Sequence, residues 1–292
     1  MSRLRWAVQS DHWAPSPSEF ELLLSLLPEG ERNACTRFTQ VQDRKRAVVS
    51  RLLQRAAAAA TLGLPHSAVL VERTRGGKPY VANKDSRPQH APNWNYSVSH
   101  EGDYVILASE PVAICGCDVA APQQVRRSRG EPLADFFRSF QRQLTASEWA
   151  SIRAAGTSDA AQEEQFRKLW SLKEAFVKAT GEGLGFELGN AEFIITGRTA
   201  TVSVKGEPRP DWTFHLHELG NGHWVSVARA PPSAVVDAWG GFTATFQKTS
   251  FAPGEWQAQL LAPEPPFVTL SVADLLPEGQ RGAYEAAGGE LF

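Results

Sequence analysis

The stretch WNYSVSHEGDYVILASEPVAICGCDV, residues 94–119, carries the clearest structural signal in the chain. Three apolar-rich runs are separated by the short turn sequences EGD and EP, which predicts three successive antiparallel strands, a β-meander. The first and third strands of a meander run parallel and end at the same edge. His100 and Glu101, where the first strand ends, are therefore expected close to Asp118, where the third ends.

The flanking sequence predicts helices and further strands, and hence an α+β protein. Helices are expected from Ser16 through FELLLSLLP, and at about 29–38, 41–62, 132–141, 145–155 and 161–179. Further strands are expected at RWAVQS, VLVERT, EFIITG, TATVSV, WTFHLHEL and HWVSVARA. Gly63 ends the third helix, and Thr145 with Glu148 forms a capping box. Both halves follow the order long helix, glycine, strands, which suits two packed lobes.

Composition excludes several classes of protein. A formal net charge of −2 over 292 residues gives no bulk attraction to nucleic acid or membranes, so an anion site must be a local basic cluster. No apolar run approaches the length of a membrane span, and MSRLRWAVQSDHW lacks the apolar core of a signal peptide. Three cysteines, with Cys115 and Cys117 alternating on one strand, favour reduced thiols and a cytosolic protein.

The helix at 161–179 carries two stripes. One is an apolar core stripe formed by Leu169, Leu172, Phe176 and Ala179. Trp170, Glu174 and Lys178 lie on the opposite side. This second stripe is either a solvated face with a Glu–Lys pair or the wall of a cleft, and the large aromatic favours the cleft.

A glycine turn with three cations suggests an anion site. Arg73, Arg75 and Lys78 surround Gly76 and Gly77, so side chains and backbone N–H groups can converge on one anion. The alternative is an ordinary soluble hairpin tip. The sequence has no GxSxG elbow, Walker loop, HExxH or CxxC pair. What remains is carboxylates suited to Mg²⁺ beside basic groups suited to phosphates.

Taken together, these motifs resemble the surfactin-type 4′-phosphopantetheinyl transferases. The family shows an (I/V)SH element, a G-x-D-x element and a W-x-x-K-E-x-x-x-K element, matched here by SVSH, GCDV and WSLKEAFVK, with RTRGGKPYV matching its basic stretch. Within the family the chain is most similar to the animal type, which serves fatty acid synthase and the aminoadipate-semialdehyde pathway of lysine metabolism. The resemblance covers about residues 3–230.

The resemblance implies a pseudo-dimer of two similar α+β lobes with the active site in the cleft between them. Residues 1–112 would form an N-terminal lobe that binds the phosphates and adenine of coenzyme A, and residues 113–230 a lobe with the metal and catalytic residues. Residues 231–292 would be an extension of open role, loosely structured over 231–263, with PFVTLSVADLL adding a late strand and short helix.

The family's reaction is Mg²⁺-dependent transfer of the phosphopantetheine arm of coenzyme A to a serine of an apo carrier protein, releasing 3′,5′-ADP. By resemblance, Asp118 and Glu174 would be the direct Mg²⁺ ligands. Glu174 would also be the general base, and Lys178 would sit on the diphosphate with Lys173 nearby. The residues implied in coenzyme A binding, besides these three catalytic ones, are Arg32, Arg73, Thr74, Arg75, Gly76, Gly77, Lys78, Ser97, Val98, Ser99 and His100, with Arg51 as a weaker candidate.

One position departs from the bacterial pattern. Bacterial members carry a third acid two residues after the aspartate, where this chain has Ala120. Glu101, placed beside Asp118 by the meander, is the expected third metal ligand, or else water fills that position.

Two other functions are compatible with the same cleft. The leading hypothesis is a monomeric transferase acting on carrier proteins of the fatty acid synthase or aminoadipate-semialdehyde dehydrogenase type. The alternatives are a coenzyme A or nucleotide-binding protein without transferase activity, and a carrier-docking factor. Carrier specificity is expected at the helix 132–141, whose Phe136 and Phe137 are either core or docking surface, with core favoured.

Overall fold

The computed structural model describes residues 2–122, 130–252 and 254–291, so most of the exposed loop expected over 121–131 lies outside the described residues. In chain order, the α-helices α1 to α8 are Pro17–Ser25, Glu29–Thr36, Val41–Leu62, Leu133–Ser139, Ala146–Ala154, Asp159–Thr180, Glu255–Leu260 and Arg281–Ala286. The strands β1 to β12 are Arg5–Gln9, Val71–Arg73, Pro79–Val81, Asn95–Glu101, Tyr104–Glu110, Ile114–Ala120, Ala191–Thr196, Thr199–Val204, Glu207–Pro208, Thr213–Leu219, His223–Ala230 and Val268–Leu270.

The local signals read from the sequence are confirmed in most elements. Ser16 caps α1, and Thr145 with Glu148 forms the predicted capping box of α5. Helix α3 has the predicted bounds and ends at Gly63, whose φ of 67° is the left-handed conformation that glycine adopts readily. In the described residues, no helix has the length and apolarity needed to cross a membrane.

Two separate sheets form the centre of the molecule. The first has the strand order β12–β1–β5–β4, with β12 parallel to β1 and the other pairs antiparallel. The second has the order β6–β11–β10–β8–β7, all antiparallel, with the short β9 on β8. Strands β2 and β3 form a separate two-stranded antiparallel sheet.

The predicted meander is therefore wrong in its third strand. Strands β4 and β5 pair as expected, but β6 belongs to the second sheet, where Asp118 is paired with Ser226 of β11. The physical reason is that both edges of β5 are already occupied, one by β4 and the other by β1 from the start of the chain. Turn spacing cannot reveal a partner strand about a hundred residues away.

The expected neighbours nevertheless meet, because β4 and β6 run side by side as facing strands of the two sheets. Asn95 Oδ1 accepts from Cys115 N at 2.8 Å, and Cys117 Sγ donates to Ser97 O at 3.2 Å. Further along, the Glu101 carboxylate accepts from the backbone N–H of residue 121 at 2.8 Å. Residue numbers rise together along both strands, so the strands are parallel and His100, Glu101 and Asp118 end at one rim.

The two sheets and their long helices form two similar α+β lobes. The sheets pack against each other through a shared core that includes Ile106, Cys117, Val119, Val225 and Val227. Helix α3 covers the outer face of the first sheet and α6 that of the second. Both helices are 22 residues long and both end at a left-handed glycine. We call the first sheet with α1 to α3 the N-terminal lobe, and the second with α4 to α6 the C-terminal lobe.

The segment after β11 returns to the N-terminal lobe. The strand and short helix expected in PFVTLSVADLL are present as β12 and a 3₁₀ turn at Val272–Leu275. Tyr284 of α8 is buried, and its hydroxyl donates to Glu19 at 2.6 Å. The region 231–263 has few regular elements, as expected, but it is anchored rather than loose: the backbone N–H of Gln247 and of Lys248 both donate to Asn93 Oδ1. The division at residues 112 and 230 remains a prediction.

A buried ionic cluster joins this segment to both lobes. Arg5 of β1 and Arg229 of β11 share the Glu110 carboxylate, at 2.5 and 2.8 Å, and all three side chains are fully buried. Glu264 completes the cluster by pairing with both guanidinium groups. Burial alone would raise the pKa of Glu110, but the neighbouring guanidinium groups outweigh it and lower the pKa. Burial would also raise the pKa of Glu264, but the hydrogen bond with His217 and the two guanidinium groups outweigh it and lower the pKa.

Candidate active site

A cleft of about 920 Å³ lies between the two lobes. From the N-terminal lobe it is lined by α3, the turn of the β2–β3 hairpin and strand β4, and from the C-terminal lobe by α6 and the loop that follows it. Its volume is within the range of sites for ligands of drug or cofactor size. The predicted residues that line it are Arg51, Arg73, Gly76, Gly77, Lys78, Ser97, Val98, Ser99, His100, Glu174 and Lys178.

Three polar side chains from three elements meet at the cleft: Ser99 and Lys178 line it, and Asp118 is buried behind them, outside the lining. Lys178 of α6 donates to Asp118 Oδ1 of β6 at 2.6 Å and to Ser99 Oγ of β4 at 2.7 Å. Ser99 Oγ lies 2.8 Å from the same carboxylate oxygen. Burial alone would lower the pKa of Lys178, but the Asp118 carboxylate outweighs it and raises the pKa. The serine, aspartate and lysine of the three sequence motifs thus form one hydrogen-bonded cluster.

The remaining oxygen of this aspartate suits a cation. Asp118 is buried, with 4% of its surface exposed, and within the described residues its Oδ2 has no hydrogen-bond partner. A buried carboxylate oxygen without a donor is costly unless a cation or water binds it. Glu174, one helix turn before Lys178, also lines the cleft. No group of three or more His, Cys, Asp and Glu arranged for a metal occurs in the part of the chain described.

The polar stripe of α6 has two different environments. Glu174 and Lys178 line the cleft as the stripe predicted. Trp170 does not help to close the cleft, as the sequence had suggested, because its ring packs edge-on against Phe140 at 4.9 Å and stacks near Phe166 at 6.0 Å. The interpretation of the Phe pair in α4 as core is confirmed for Phe136, which is buried in this same aromatic cluster, while Phe137 is half-buried against it.

The members of the basic turn have unlike surroundings. Arg73 lines the cleft and donates to Gly77 O at 2.7 Å. Lys78 is buried, and its ammonium donates to two backbone carbonyls of the C-terminal lobe. Thr74 Oγ1 accepts from Lys78 N inside the hairpin, and Arg75 is exposed and outside the cleft lining.

Gly76 brings this turn into direct contact with the end of α6. A Cβ atom on Gly76 would lie 1.8 Å from Gly181 O, far closer than any allowed contact. Gly181 is the left-handed cap of α6. Only a glycine at position 76 therefore lets the hairpin turn pack this closely against the end of α6.

If the cleft binds coenzyme A, as the resemblance of the motifs implies, we expect Gly76→Ala to push the turn away from the cap of α6 and to raise the KM for coenzyme A by roughly tenfold or more. A loss of about 1.4 kcal/mol of binding free energy is enough for that change. Steady-state transfer kinetics measure it. Gly185→Ala in the neighbouring loop is the matched control, because a Cβ there has open space at an ordinary φ. Equal KM values in the two variants would contradict the prediction.

Other predicted residues lie at the margin of the cleft or behind it. Arg32 is exposed, lies outside the cleft lining and donates weakly to Leu27 O at 3.3 Å. Glu101 is likewise outside the lining. Arg51 lines the cleft, and its buried Nε has no hydrogen-bond partner within the described residues. His100 stands at the mouth, where partial desolvation, Lys178 and Arg46 lower the pKa of its imidazole.

The prediction that Lys173 lies near the diphosphate is wrong. Its side chain is fully buried on the far side of α6, and its ammonium pairs with Glu148 at 2.8 Å and donates to Leu188 O at 3.0 Å. The residue follows Leu172 on the core side of the helix. Adjacent positions on a helix point 100° apart, so neighbours in the motif need not share the cleft.

Sequence reasoning missed one part of the wall. Arg142 and Gln143, between α4 and α5, line the cleft opposite the basic turn, together with Phe186 and Leu188 of the loop after α6. Residues 142 and 143 carry no local pattern that separates them from an ordinary surface loop. The motif GLGFEL, already noted for its family resemblance, was the available signal for the second pair.

Comparison with known proteins identifies the family to which the chain belongs. A model of the N-terminal part of 4′-phosphopantetheinyl transferases matches residues 11–112, and the model of the 4′-phosphopantetheinyl transferase superfamily matches residues 114–228. The chain belongs to this superfamily. The α+β fold of two lobes, each a sheet packed with helices, is the fold expected for it. Transfer of the phosphopantetheine arm from coenzyme A to carrier proteins is accordingly its activity.

Three relatives show how far the similarity extends. The L-aminoadipate-semialdehyde dehydrogenase-phosphopantetheinyl transferase of Rattus norvegicus is 32% identical over 241 residues, covering 80% of this chain and 76% of the relative. The protein of the same name from Xenopus laevis is 36% identical, covering 78% and 76%. A phosphopantetheinyl transferase from a Thraustochytrium species is 33% identical, covering 80% of each.

Proposed function

We propose that the chain carries out this transfer with Mg²⁺ and that the acceptor is a serine hydroxyl of an apo carrier protein. The observation that supports this most is the Lys178–Asp118–Ser99 cluster, with the second Asp118 oxygen lacking a donor. Asp118 and Glu174 would hold the cation, with phosphate oxygens and water as further ligands. When bound, Mg²⁺ supplies positive charge that neutralises the diphosphate and the leaving group.

The side chains of the cleft would divide the remaining work. Glu174 takes the proton from the incoming serine hydroxyl, directly or through water. The serine oxygen then forms a bond to the phosphorus of the phosphopantetheine arm, while the bond from that phosphorus to the bridging diphosphate oxygen breaks and 3′,5′-ADP leaves. Lys178 contacts the diphosphate, and Arg73, Arg51 and His100 provide the cationic and polar surroundings of the other phosphate.

The carriers would include those of the type named in the vertebrate relatives, the carrier domain of an aminoadipate-semialdehyde dehydrogenase, and fatty acid synthase carrier domains. The motifs shared with that animal type support this choice. A cytosolic location and a monomeric state stay predictions; the buried, reduced state of all three cysteines suits the cytosol.

Intact-mass spectrometry of an apo carrier tests the proposal. We expect the phosphopantetheine mass increase with coenzyme A and Mg²⁺, and its loss when EDTA removes the metal. A serine-to-alanine carrier is the matched control for the acceptor. Binding of coenzyme A without transfer to any carrier would instead support the alternative of a binding protein. Transfer that survives EDTA would exclude the metal.

The third metal position can be tested through Glu101. Its carboxylate accepts from the backbone N–H of residue 121, next to buried Ala120, which replaces the third acid of bacterial members. If Glu101 reaches the metal, Glu101→Ala weakens the apparent Mg²⁺ affinity by about tenfold, roughly 1.4 kcal/mol. Ala120→Glu changes it less. A Mg²⁺ titration of transfer that is the same for Glu101→Ala and the unaltered chain would remove Glu101 from the site.

A further inference from the structure

The side chain of Lys78 crosses from the N-terminal lobe into the C-terminal lobe. Its ammonium donates to Cys115 O of β6 at 2.6 Å and to Lys178 O of α6 at 2.7 Å. Only 5% of the residue is exposed. Its donors are therefore directed at backbone carbonyls, although Lys78 belongs to the basic turn that lines the cleft.

Within the described residues, the Lys78 ammonium is the donor to both carbonyls, and neither receives a hydrogen bond from its own helix or sheet. Lys178 O is one of the last four carbonyls of α6, which have no partner within the helix. The N–H of the cap residue Gly181 donates to Val177 O instead. A cation at this end also matches the negative end of the helix dipole. Cys115 O lies on the side of β6 that faces β4, where Asn95 satisfies the neighbouring N–H.

The surrounding backbone is fitted to this contact. The turn before Lys78 packs on the loop after α6 through glycines, since a Cβ on Gly183 would lie 2.6 Å from Gly76 O. A Cβ on Gly181 would lie 3.4 Å from Lys78 Cδ, in ordinary contact. The lysine stem thus lies against the helix cap, and its ammonium reaches the strand beyond.

We propose that Lys78 is a positioning residue that fixes the end of α6 against β6, so that Lys178 meets Asp118. The Lys78 ammonium joins α6 to β6. Lys178 lies on α6, and Asp118 lies on β6, three residues after Cys115. The inference rests on the catalytic roles proposed above for these two side chains. It differs from a phosphate-ligand role, because the ammonium acts through the backbone of the C-terminal lobe rather than on the substrate.

Lys78→Met removes the donor and keeps most of the stem. We expect kcat for transfer to fall at least tenfold with coenzyme A and equally with 3′-dephospho-coenzyme A, while KM for each stays within about threefold of the unaltered chain. Lys78→Arg, which restores donors, is expected to recover part of kcat. Lys84→Met is the matched control, because Lys84 is exposed on the same lobe.

The kinetic pattern separates the possibilities. A raised KM with unchanged kcat, or a loss confined to coenzyme A, would assign Lys78 to a phosphate and overturn the inference. So would an unchanged kcat in Lys78→Met while the unaltered chain transfers normally. Absence of transfer in the unaltered chain would instead count against the proposed function alone.

Hydrogen exchange gives a readout that does not depend on catalysis. In Lys78→Met we expect amides of the last turn of α6 to exchange at least tenfold faster, with no such change in Lys84→Met. If Lys78→Met does not fold, both kcat and amide exchange are measured in Lys78→Arg instead. Reduced kcat without faster exchange in the last turn of α6 would overturn the positioning role.

Discussion

Replacing Asp118 by asparagine is expected to lower phosphopantetheine transfer by roughly a thousandfold, about 4 kcal/mol of transition-state stabilisation. The substitution keeps the size of the side chain but removes its charge. Lys178 then loses the carboxylate that it contacts at 2.6 Å, and the proposed Mg²⁺ site loses one of its two carboxylates. Single-turnover mass spectrometry of an apo carrier measures the chemical step directly.

Two comparisons make this result specific. Asp211→Asn is the matched control, because Asp211 is also on the C-terminal lobe but pairs with nearby Arg209 rather than with Lys178. It should transfer at the rate of the unaltered chain. Calorimetry should show that Asp118→Asn still binds coenzyme A without Mg²⁺, since most proposed phosphate contacts remain. A loss of less than tenfold would mean that Asp118 is not part of the reacting centre.

Glu110→Gln is expected to destabilise the protein by about 3–5 kcal/mol, the cost of leaving a buried charge without its partner. Arg5 and Arg229 are both fully buried and both pair with Glu110. After the change, Glu264 alone would balance two guanidinium groups. Urea unfolding followed by tryptophan fluorescence measures the loss. Glu218→Gln, which breaks an exposed pair with Arg198, should cost about 0.5 kcal/mol or less.

The same cluster predicts that the protein loses stability as the pH falls. The pKa values of Glu110 and Glu264 are lower in the folded chain than in the unfolded one. Their stabilisation is therefore fully present above the unfolded pKa, near 4.5, and is lost as pH falls through the folded values. Glu110→Gln should accordingly lose less stability than the unaltered chain between neutral pH and pH of about 3. Parallel acid curves for the two proteins would contradict this assignment.

Local patterns in the sequence predicted most of the helices and strands and several of the residues that line the cleft. Gly63 ends α3, Thr145 with Glu148 begins α5, and Ser158 and Gly181 begin and end α6, so these bounds follow from short-range chemistry. The opposed stripes of α6 placed Glu174 and Lys178 on one face, which is the face that lines the cleft, although Trp170 of the same stripe packs on Phe140 instead. The family motifs then joined residues that no single pattern connected.

What the sequence could not show depends on contacts distant along the chain. The assignment of β6 to the second sheet is decided by its pairing with β11, over a hundred residues later. The direction of the Lys78 ammonium and the burial of Lys173 depend on which carbonyls and carboxylates surround them after folding. A sequence motif cannot show whether its lysine contacts a phosphate or a backbone carbonyl, because the residue is the same in both cases.

The parallel pairing of β12 with β1 has a consequence for synthesis of the chain on the ribosome. Strand β1 begins at residue 5, while its neighbour β12 begins at residue 268 and the underlying Leu275 and Tyr284 follow it. The N-terminal lobe therefore cannot close its own sheet edge or complete its core while the polypeptide is still emerging. Although domains near the amino terminus usually fold first, this one must leave one edge of β1 unpaired until Val268–Leu270 has been made.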